Sequence, residues 1–289
     1  MFTINKRDSR RRISSPRARA AMNRLGIDSH SISGTGPAGR IVESDVLLFS
    51  IEKPNLPEPP PVHLPASGMR AAIARKTAES FATIPHFYLK AEVEVSALIQ
   101  LKNELGPEFE QMAGVRLSLT DLLIRAQAMA LHRCPTANAI WKEGNVVSLS
   151  ETNVGLVVSI PGGLLIPVIS NAGSISLANL GKTRFGAAEE ARAGRCLNPQ
   201  MTCATSLSNL GRGAIDEFSA VIPLGQSSIL AVGNTKNRAW DVDGRIEARP
   251  TVKLTLSADH RVLDGQPAAE YLDAIVSYLS SPLVLLLGF

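Results

Sequence analysis

The segment LTLSADHRVLDGQPAAEYL, residues 254–272, places a histidine and an aspartate where a strand pattern changes into a helix pattern. His260 follows the alternating apolar residues of the strand, and Asp264 lies four residues further on. Because an imidazole titrates near neutral pH, a histidine at a rigid strand end can take a proton from a thiol or a hydroxyl. We therefore expect His260 to be a general base, and a polar residue that only closes the strand is the alternative.

Asp264 precedes a predicted helix, where a carboxylate can accept backbone N–H groups and complement the helix dipole. Alternatively, its side chain orients the histidine loop or holds an arginine. In either case we expect Asp264 to contribute to the structure of the site and to transfer no proton. Gly265, the next residue, is expected to let the backbone turn tightly.

Two serines of the predicted strand TSLSNLG form a second candidate feature. Strand alternation puts Ser206 and Ser208 on the same side. A hydroxyl there can donate a hydrogen bond to the oxyanion of a tetrahedral intermediate, although ordinary strand serines are the alternative. The segment has no G-x-S-x-G elbow, so a serine-nucleophile hydrolase is not expected. The run GTGPAG from Gly34 follows no strand, which argues against a dinucleotide loop.

Composition narrows the class of protein. The chain has 289 residues, of which 45% are apolar and 19% charged, and this suits one large domain with a small companion. The net charge of +4 lies largely in residues 1–24, without interleaved aromatic residues, so no nucleic-acid partner is expected. The cysteines show no C-x-x-C spacing, which predicts a reducing compartment without disulfides or metal. No apolar run approaches about 18 residues, so we expect a cytoplasmic protein with no membrane partner.

Changes in composition divide the chain into four segments. Residues 1–12 are expected to be a basic disordered arm, and residues 13–49 a small module of two short helices around a loop. The first helix is expected to begin at Ser15-Pro16 and to end at Leu25-Gly26, with the glycine as its C-cap. The run SIEKPNLPEPPPVHLPASG predicts a stiff, extended linker over residues 50–67. Residues 68–289 alternate helix and strand patterns with several hairpin-like pairs, which predicts an α/β domain with a mixed sheet.

Two segments of that domain carry more specific expectations. The segment LSLTDLLIRAQAMALHRC predicts a long apolar helix that is capped by Thr120 or Asp121. The segments NVGLVVSI and GLLIPVIS predict two buried strands around a Pro-Gly-Gly turn.

These motifs together resemble a known family. DHRVLDG matches the D-H-R-x-x-D-G motif of the catalytic domain of dihydrolipoamide acyltransferases, the core components of 2-oxoacid dehydrogenase complexes. MRAAIARKTAESFATIPHFYLKAEV, NVGLVVSIPGGLLIPVISNAGSISLANL, TSLSNLG and PLVLLL resemble further blocks of that domain in the same order. Residues 13–49 resemble the family's peripheral subunit-binding domain through SSPRARA, LGID, GTGPAGRI and SDV. The family's lipoyl domain has no counterpart, so no covalent lipoyl group is expected on this chain.

The resemblance implies a chloramphenicol-acetyltransferase-like fold and a homotrimer, or a multiple of trimers, with active sites between subunits. It implies that His260 deprotonates the acceptor, that Ser208 stabilises the oxyanion from the neighbouring subunit, and that Asp264 maintains the site. Acetyl-CoA or another acyl-CoA would be the co-substrate. In the module, Arg19 and Arg40 match positions that bind a dihydrolipoamide dehydrogenase-like partner.

The sequence departs from the family pattern near the candidate site. Thr202 and Cys203 replace a usual Gly-Gly, Thr205 replaces a phenylalanine, and Ala258 replaces a tyrosine. Ser159 stands where alanine or aspartate is commoner. All but Ser159 are close in sequence to the catalytic candidates, so we expect a reshaped acceptor pocket.

Three functions fit these observations. The missing lipoyl domain favours a free-standing enzyme that transfers an acetyl group from acetyl-CoA to a small-molecule hydroxyl, similar to the O-acetyltransferases of tetronate biosynthesis. The first alternative is a dihydrolipoamide acyltransferase component that uses a lipoyl domain on another chain. The second is a non-catalytic scaffold, which the intact catalytic candidates disfavour.

Overall fold

The structure of the protein is a computed structural model that describes residues 12–51, 68–196 and 201–288. The chain divides into two compact units, residues 1–64 and 65–289. The expected basic arm lies outside the described residues except for Arg12, and so does the expected linker except for residues 50 and 51.

The described residues of the first unit form two α-helices, α1 (Pro16–Leu25) and α2 (Glu43–Ile51), with short 3-10 turns between them. The Ser15 hydroxyl accepts a hydrogen bond from the backbone of Ala18 and caps α1, and Gly26 ends the helix with a φ of 67°. Both ends agree with the sequence expectation. α2 continues two residues beyond the expected end of the module at residue 49. The core of this unit consists of Ala18, Ala21, Met22, Ile32, Ile41 and Val46.

Asp45 fixes the loop of the first unit from the first turn of α2. Its carboxylate accepts hydrogen bonds from the backbone and hydroxyl of Thr35, at 3.0 and 2.6 Å, and from the backbone of Val42 at 2.9 Å. The hydroxyl of Thr35, followed by the backbone N–H groups, lowers the pKa of this buried carboxyl below its ordinary value. One carboxylate therefore satisfies several loop donors at once.

The second unit is an α/β domain. Its helices are α3 (Gly68–Thr83), α4 (Ser96–Ala113), α5 (Leu119–Arg133), α6 (Leu177–Arg192) and α7 (Gly265–Ser280). Its strands are β1 (His86–Glu94), β2 (Ala139–Lys142), β3 (Asn145–Ser148), β4 (Val154–Leu156), β5 (Val158–Ile160), β6 (Gly163–Leu165), β7 (Val168–Ile169), β8 (Thr205–Asn209), β9 (Ser228–Val232), β10 (Lys236–Val242) and β11 (Arg245–Asp259). A final 3-10 segment covers Pro282–Leu286.

Seven strands form one sheet in the order β1-β11-β9-β8-β4-β7, and β10 pairs with β11. The pairs β4–β8 and β8–β9 are parallel, and the other pairs are antiparallel. This arrangement confirms the predicted mixed sheet. Two separate hairpins, β2–β3 and β5–β6, stand outside it.

The two faces of the sheet bury different sets of apolar residues. The main core joins the strands to α5 and α7 through residues that include Leu122, Ile124, Leu207, Leu230, Leu254, Leu256, Tyr271 and Ile275. Strand alternation turns Ile229 to the opposite face. There it packs with Ile84 and with Ile222 from the long loop 210–227 that joins β8 to β9. This smaller cluster lies beside the end of β11.

Several elements differ from the sequence expectation. The hairpins β2–β3 and β10–β11 were not predicted, although each turns through an acidic residue followed by a glycine. All four turn residues, Glu143-Gly144 and Asp243-Gly244, have positive φ, which is typical of tight hairpins. The two strands expected around Pro-Gly-Gly are each divided in two, because only the outer pieces join the main sheet. Among the described residues, no helix is long and apolar enough to cross a membrane.

The predicted cap of α5 was also wrong. Ser118 caps this helix, and Asp121 completes a capping box with it from the first turn. The carboxylate of Asp121 is fully buried and also binds Arg184 of α6, with an Nε–Oδ1 distance of 2.8 Å. The S-x-x-D spacing was the available signal in the sequence.

Candidate active site

His260 occupies the turn between β11 and α7. Its backbone N–H donates to the carbonyl of Pro85 at 3.0 Å, and the Phe87 ring packs on the imidazole with 4.6 Å between ring centroids. The side chain is 52% exposed. The imidazole is therefore supported on one side by an aromatic ring and remains accessible to a reactant.

The residues on either side of His260 form a charged clamp that the sequence analysis missed. The fully buried Asp259 carboxylate accepts hydrogen bonds from Nε and Nη2 of Arg261, at 3.0 and 2.7 Å, and from the Arg261 backbone at 3.0 Å. The Arg261 guanidinium also lies 5.3 Å from the centre of the Trp141 ring. A planar bidentate pair has one preferred geometry, so the clamp fixes the backbone that carries His260. The D-x-R spacing was the only sequence signal for it.

Asp264 lies beside His260 without a hydrogen bond to it. The distance from His260 Nδ1 to Asp264 Oδ1 is 3.6 Å, which is too long for a hydrogen bond, and the Asp264 side chain is 85% exposed. Asp264 is the N-cap residue of α7 by position, but its side chain makes no capping bond. The capping role expected from the sequence is therefore wrong, and the electrostatic contact with His260 is what the structure provides.

Gly265 does not make the tight turn that the sequence suggested. It is the first residue of α7, its φ lies outside the left-handed region, and a Cβ at this position would meet open space. The turn is instead closed by backbone bonds from Val262 and Leu263 to the carbonyl of Asp259, at 3.0 and 2.9 Å.

The two candidate serines have different surroundings in β8. The Ser206 hydroxyl is buried and donates to Gln226 Oε1 at 2.6 Å. Ser208 is half-buried nearer the strand end, and among the described residues no hydrogen bond occupies its hydroxyl. Of the two, only Ser208 has a hydroxyl that is free to meet a ligand.

Ser208 and His260 do not meet within one chain. Ser208 pairs with Ala231 of β9, and Ala231 pairs with Thr255 of β11, whereas His260 follows the end of β11 at Asp259. Five residues along the sheet and two strand spacings across it separate the two positions by about 19 Å. A site that uses both side chains therefore requires two copies of the chain.

The departures from the family pattern lie mostly inside the domain. Thr205 is buried and accepts hydrogen bonds from Ser228 at 2.9 Å and from Gln127 at 3.3 Å. Cys203 is also buried, and desolvation raises the pKa of its thiol to about 12. Ala258 is fully buried in β11. These three side chains therefore cannot touch an acceptor at the surface of this chain, and any effect on an acceptor pocket is indirect.

The candidate partner-binding arginines lie at one edge of the first unit. Both side chains are exposed. The Arg19 guanidinium donates to the carbonyl of Ser14 at 3.2 Å. Ser14 forms an isolated parallel β-bridge with Ile41, the residue after Arg40. The structure thus brings Arg19 and Arg40 to neighbouring backbone segments, as a shared binding surface requires.

Comparisons with known proteins agree with this architecture. Residues 58–287 match the family described as 2-oxoacid dehydrogenases acyltransferase (catalytic domain), and residues 12–47 match the e3 binding domain. The probable dihydrolipoamide acetyltransferase of Listeria monocytogenes aligns with a TM-score of 0.72 at 27% identity, covering 77% of this chain and 95% of that one. The dihydrolipoamide acetyltransferase of Azotobacter vinelandii aligns with a TM-score of 0.72 at 25% identity, covering 80% of this chain and 100% of that one.

Curated relatives point the same way. The dihydrolipoyllysine-residue acetyltransferase component of the Zymomonas mobilis pyruvate dehydrogenase complex is 34% identical over 290 residues, which cover 94% of this chain and 66% of that protein. The corresponding component of the Bacillus subtilis acetoin cleaving system is 30% identical over 279 residues, which cover 94% of this chain and 70% of that protein. The chain thus spans about two thirds of the length of these relatives.

The fold of the second unit is that of the solved dihydrolipoamide acetyltransferases. The chain belongs to the 2-oxoacid dehydrogenase acyltransferase family and carries an E3-binding module. The expected family, fold class and enzyme class are confirmed. These relatives favour the complex-component alternative over our first expectation of tetronate-type O-acetylation.

Proposed function

We propose that this chain is the acyltransferase component of a 2-oxoacid dehydrogenase complex and moves an acetyl group between coenzyme A and a dihydrolipoyl thiol. The observation that carries this proposal is the His260 turn, held rigidly at the end of β11 with its imidazole accessible. The relatives from Zymomonas mobilis and Bacillus subtilis are named for acetyl transfer at a dihydrolipoyllysine residue, which supports the choice of acceptor. The lipoyl group would be presented by a domain outside the matched residues.

The spacing of the site residues supports their assignment. The crystallographic and enzymatic study of the Azotobacter vinelandii enzyme concerns the roles of a serine, a histidine and an asparagine that lie 52 and 4 residues apart. Ser208, His260 and Asp264 have the same separations. Aspartate in place of asparagine keeps a hydrogen-bond acceptor next to the imidazole and adds a negative charge.

In the proposed reaction, His260 takes the proton from the acceptor thiol, and the thiolate attacks the thioester carbonyl of acetyl-CoA. The carbonyl oxygen becomes an oxyanion, and the Ser208 hydroxyl of a neighbouring subunit donates a hydrogen bond to it. When the tetrahedral intermediate collapses, the coenzyme A thiolate leaves and recovers the proton from the imidazolium. Asp264 lies 3.6 Å from the imidazole without a hydrogen bond to it, and its proposed role is to maintain the structure of the site.

The homotrimer belongs to the same proposal. Ser208 and His260 are too far apart in one chain to share a reactant, so a ring of subunits has to bring them together. A solved relative at 26% identity and a TM-score of 0.72 is described as the cubic core of the pyruvate dehydrogenase multienzyme complex, which supports a symmetric assembly of this chain.

The first unit, residues 13–49, is proposed to bind a dihydrolipoamide dehydrogenase through Arg19 and Arg40. The match to the e3 binding domain and the shared edge that carries both arginines support this role. The double variant Arg19→Ala/Arg40→Ala should weaken binding of a dihydrolipoamide dehydrogenase in calorimetry and leave the transferase rate unchanged. Unchanged binding would remove both residues from this assignment.

Acetyl-CoA turnover with two acceptors tests the catalytic proposal. Purified protein is assayed with dihydrolipoamide and with a hydroxymethyl tetronate, and coenzyme A release is measured. We expect a kcat/KM at least tenfold higher for the thiol, and a loss of about 10²–10⁴-fold with both acceptors in His260→Ala. A preference for the hydroxyl would support the free-standing O-acetyltransferase, and no turnover with either would support a scaffold.

A further inference from the structure

A second histidine, His86, opens β1 directly beside the turn that carries His260. In the register of the sheet His86 lies opposite Asp259, the last residue of β11. Its chain neighbours, Pro85 and Phe87, are the two residues that support His260, one through a carbonyl and the other through its ring. Pro85 and Phe87 are the chain neighbours of His86, so contacts that fix the position of His86 also fix these two residues, which support His260.

The hydrogen bonds of His86 define its protonation state. Its Nδ1 lies 2.8 Å from the carbonyl of Ile84, and its Nε2 lies 3.0 Å from the backbone N–H of Ile222. A carbonyl can only accept and an amide N–H can only donate, so Nδ1 carries the hydrogen and Nε2 accepts. The imidazole is therefore neutral, and both of its nitrogen atoms are occupied by protein.

Through Ile222 the imidazole connects β1 to the loop 210–227. The same loop is tied to α3, because Ser80 Oγ donates to the carbonyl of Ile222 at 2.5 Å. It is tied to β11, because Ser257 Oγ donates to the carbonyl of Ala220 at 2.7 Å. Ile222 is fully buried, so its amide needs an acceptor, and Nε2 of His86 is the one it has among the described residues.

We propose that His86 is a positioning residue for His260. Its neutral imidazole holds the segment 84–87 against the loop 210–227, and this segment in turn fixes the height and tilt of the catalytic imidazole. The inference rests on the proposed role of His260 as the base. His86 itself touches no reactant, because both of its ring nitrogen atoms bind the backbone.

A matched pair of variants separates the acceptor from the rest of the side chain. In His86→Gln, the amide oxygen can reach the position of Nε2 and accept from Ile222. In His86→Asn, the shorter amide reaches only as far as Nδ1, so the Ile222 amide loses its acceptor. We expect His86→Asn to lower kcat by about 10- to 100-fold, the effect of misplacing a catalytic group by about 1 Å, with the KM for acetyl-CoA changed less than twofold. His86→Gln should keep at least a third of the wild-type kcat.

Ser80→Ala serves as the control for loosening the same loop. It removes the tie to α3 but leaves the contact between His86 and Ile222 intact, so it should lower the melting temperature without lowering kcat more than twofold. Melting temperature and oligomeric state are measured for each variant. Rescue in His86→Gln at equal folded content distinguishes positioning from a general loss of fold.

A double-variant cycle separates this inference from the proposed function. If His86 acts through His260, His86→Asn should cause no further loss in a His260→Ala background. An equal loss in both backgrounds would overturn the inference, as would equal activity of the Asn and Gln variants, or a loss in Ser80→Ala as large as in His86→Asn. If His260→Ala alone retained most of its rate, the proposed base would be wrong and the inference would fail with it.

Discussion

Ser208 and His260 lie toward opposite strand ends of the same sheet, about 19 Å apart across β8, β9 and β11. Ser208 faces no protein partner among the described residues, and the His260 imidazole is half-exposed. Each chain therefore carries two separate parts of the proposed site. This arrangement is expected when subunits share active sites around a ring.

Removing the Ser208 hydroxyl should slow the chemical step. Ser208→Ala is expected to lower kcat by about 10²–10³-fold, because the oxyanion loses a directed donor, while the KM for acetyl-CoA changes little. Steady-state kinetics with dihydrolipoamide measures both constants. Ser206→Ala is the matched control: its hydroxyl already binds Gln226, so it should reduce stability and leave kcat within about threefold. A larger effect in Ser206→Ala than in Ser208→Ala would reverse the assignment.

The clamp between Asp259 and Arg261 should matter for both stability and rate. Asp259→Asn leaves the Arg261 charge without its buried partner and is expected to cost about 3 kcal/mol of unfolding free energy. The kcat should also fall, since the backbone of His260 is no longer fixed. Denaturant titration and kinetics measure the two effects.

The control for that experiment is Glu189→Gln on α6, which removes an exposed ion pair with Arg192. Exposed pairs contribute little, so its denaturation midpoint should not change. If the denaturation midpoint of Asp259→Asn were also unchanged, the clamp between Asp259 and Arg261 would not be structurally important.

Acid should loosen the first unit through Asp45. Hydrogen bonds lower the pKa of this carboxyl in the folded state, so the unfolded chain binds the proton more readily. The resulting stabilisation is fully present above the ordinary aspartate pKa of about 4 and is lost as the pH falls through the lower folded-state pKa. In the full chain, amide protection factors of Thr35 and Val42 should fall between about pH 4 and pH 2.

Asp45→Asn should lower those protection factors at neutral pH and flatten their pH dependence, because an amide has a single acceptor oxygen. Asp28→Asn is the control in the same unit. Asp28 is exposed, and within the described part of the chain it accepts only from the backbone of His30 at 3.2 Å, a bond that an asparagine oxygen can make. A drop of equal size in Asp28→Asn would show that the effect is not specific to Asp45.

The sequence predicted elements whose ends depend on a few adjacent residues. Ser15 and Gly26 delimit α1 because capping and left-handed backbone are properties of a few adjacent residues. The catalytic candidates His260 and Ser208 could be named from short motifs, and family resemblance supplied their proposed roles. The hairpin at Asp243-Gly244, which was not predicted, has an equally local signal in its Asp-Gly turn.

Features that depend on strand register could not be predicted from the sequence. The separation of Ser208 from His260 follows from pairings that link residues far apart in sequence. The same is true of His86, whose hydrogen bond to Ile222 spans 136 positions. At Gly265 the sequence suggested a feature that the structure lacks. A glycine after a candidate site predicted a tight turn, but the backbone there is ordinary helix.

The most direct test of the shared site combines two inactive subunits. Ser208→Ala and His260→Ala chains, carrying different affinity tags, are co-expressed and purified through both tags, so that each assembly contains both variants. In a ring whose sites pair His260 of one subunit with Ser208 of the next, about a quarter to a third of the sites then have both groups intact. We predict recovery of that fraction of the wild-type rate, and no recovery when either variant is combined with the double variant. A mixed assembly no more active than the average of its two parents would contradict a site built between subunits.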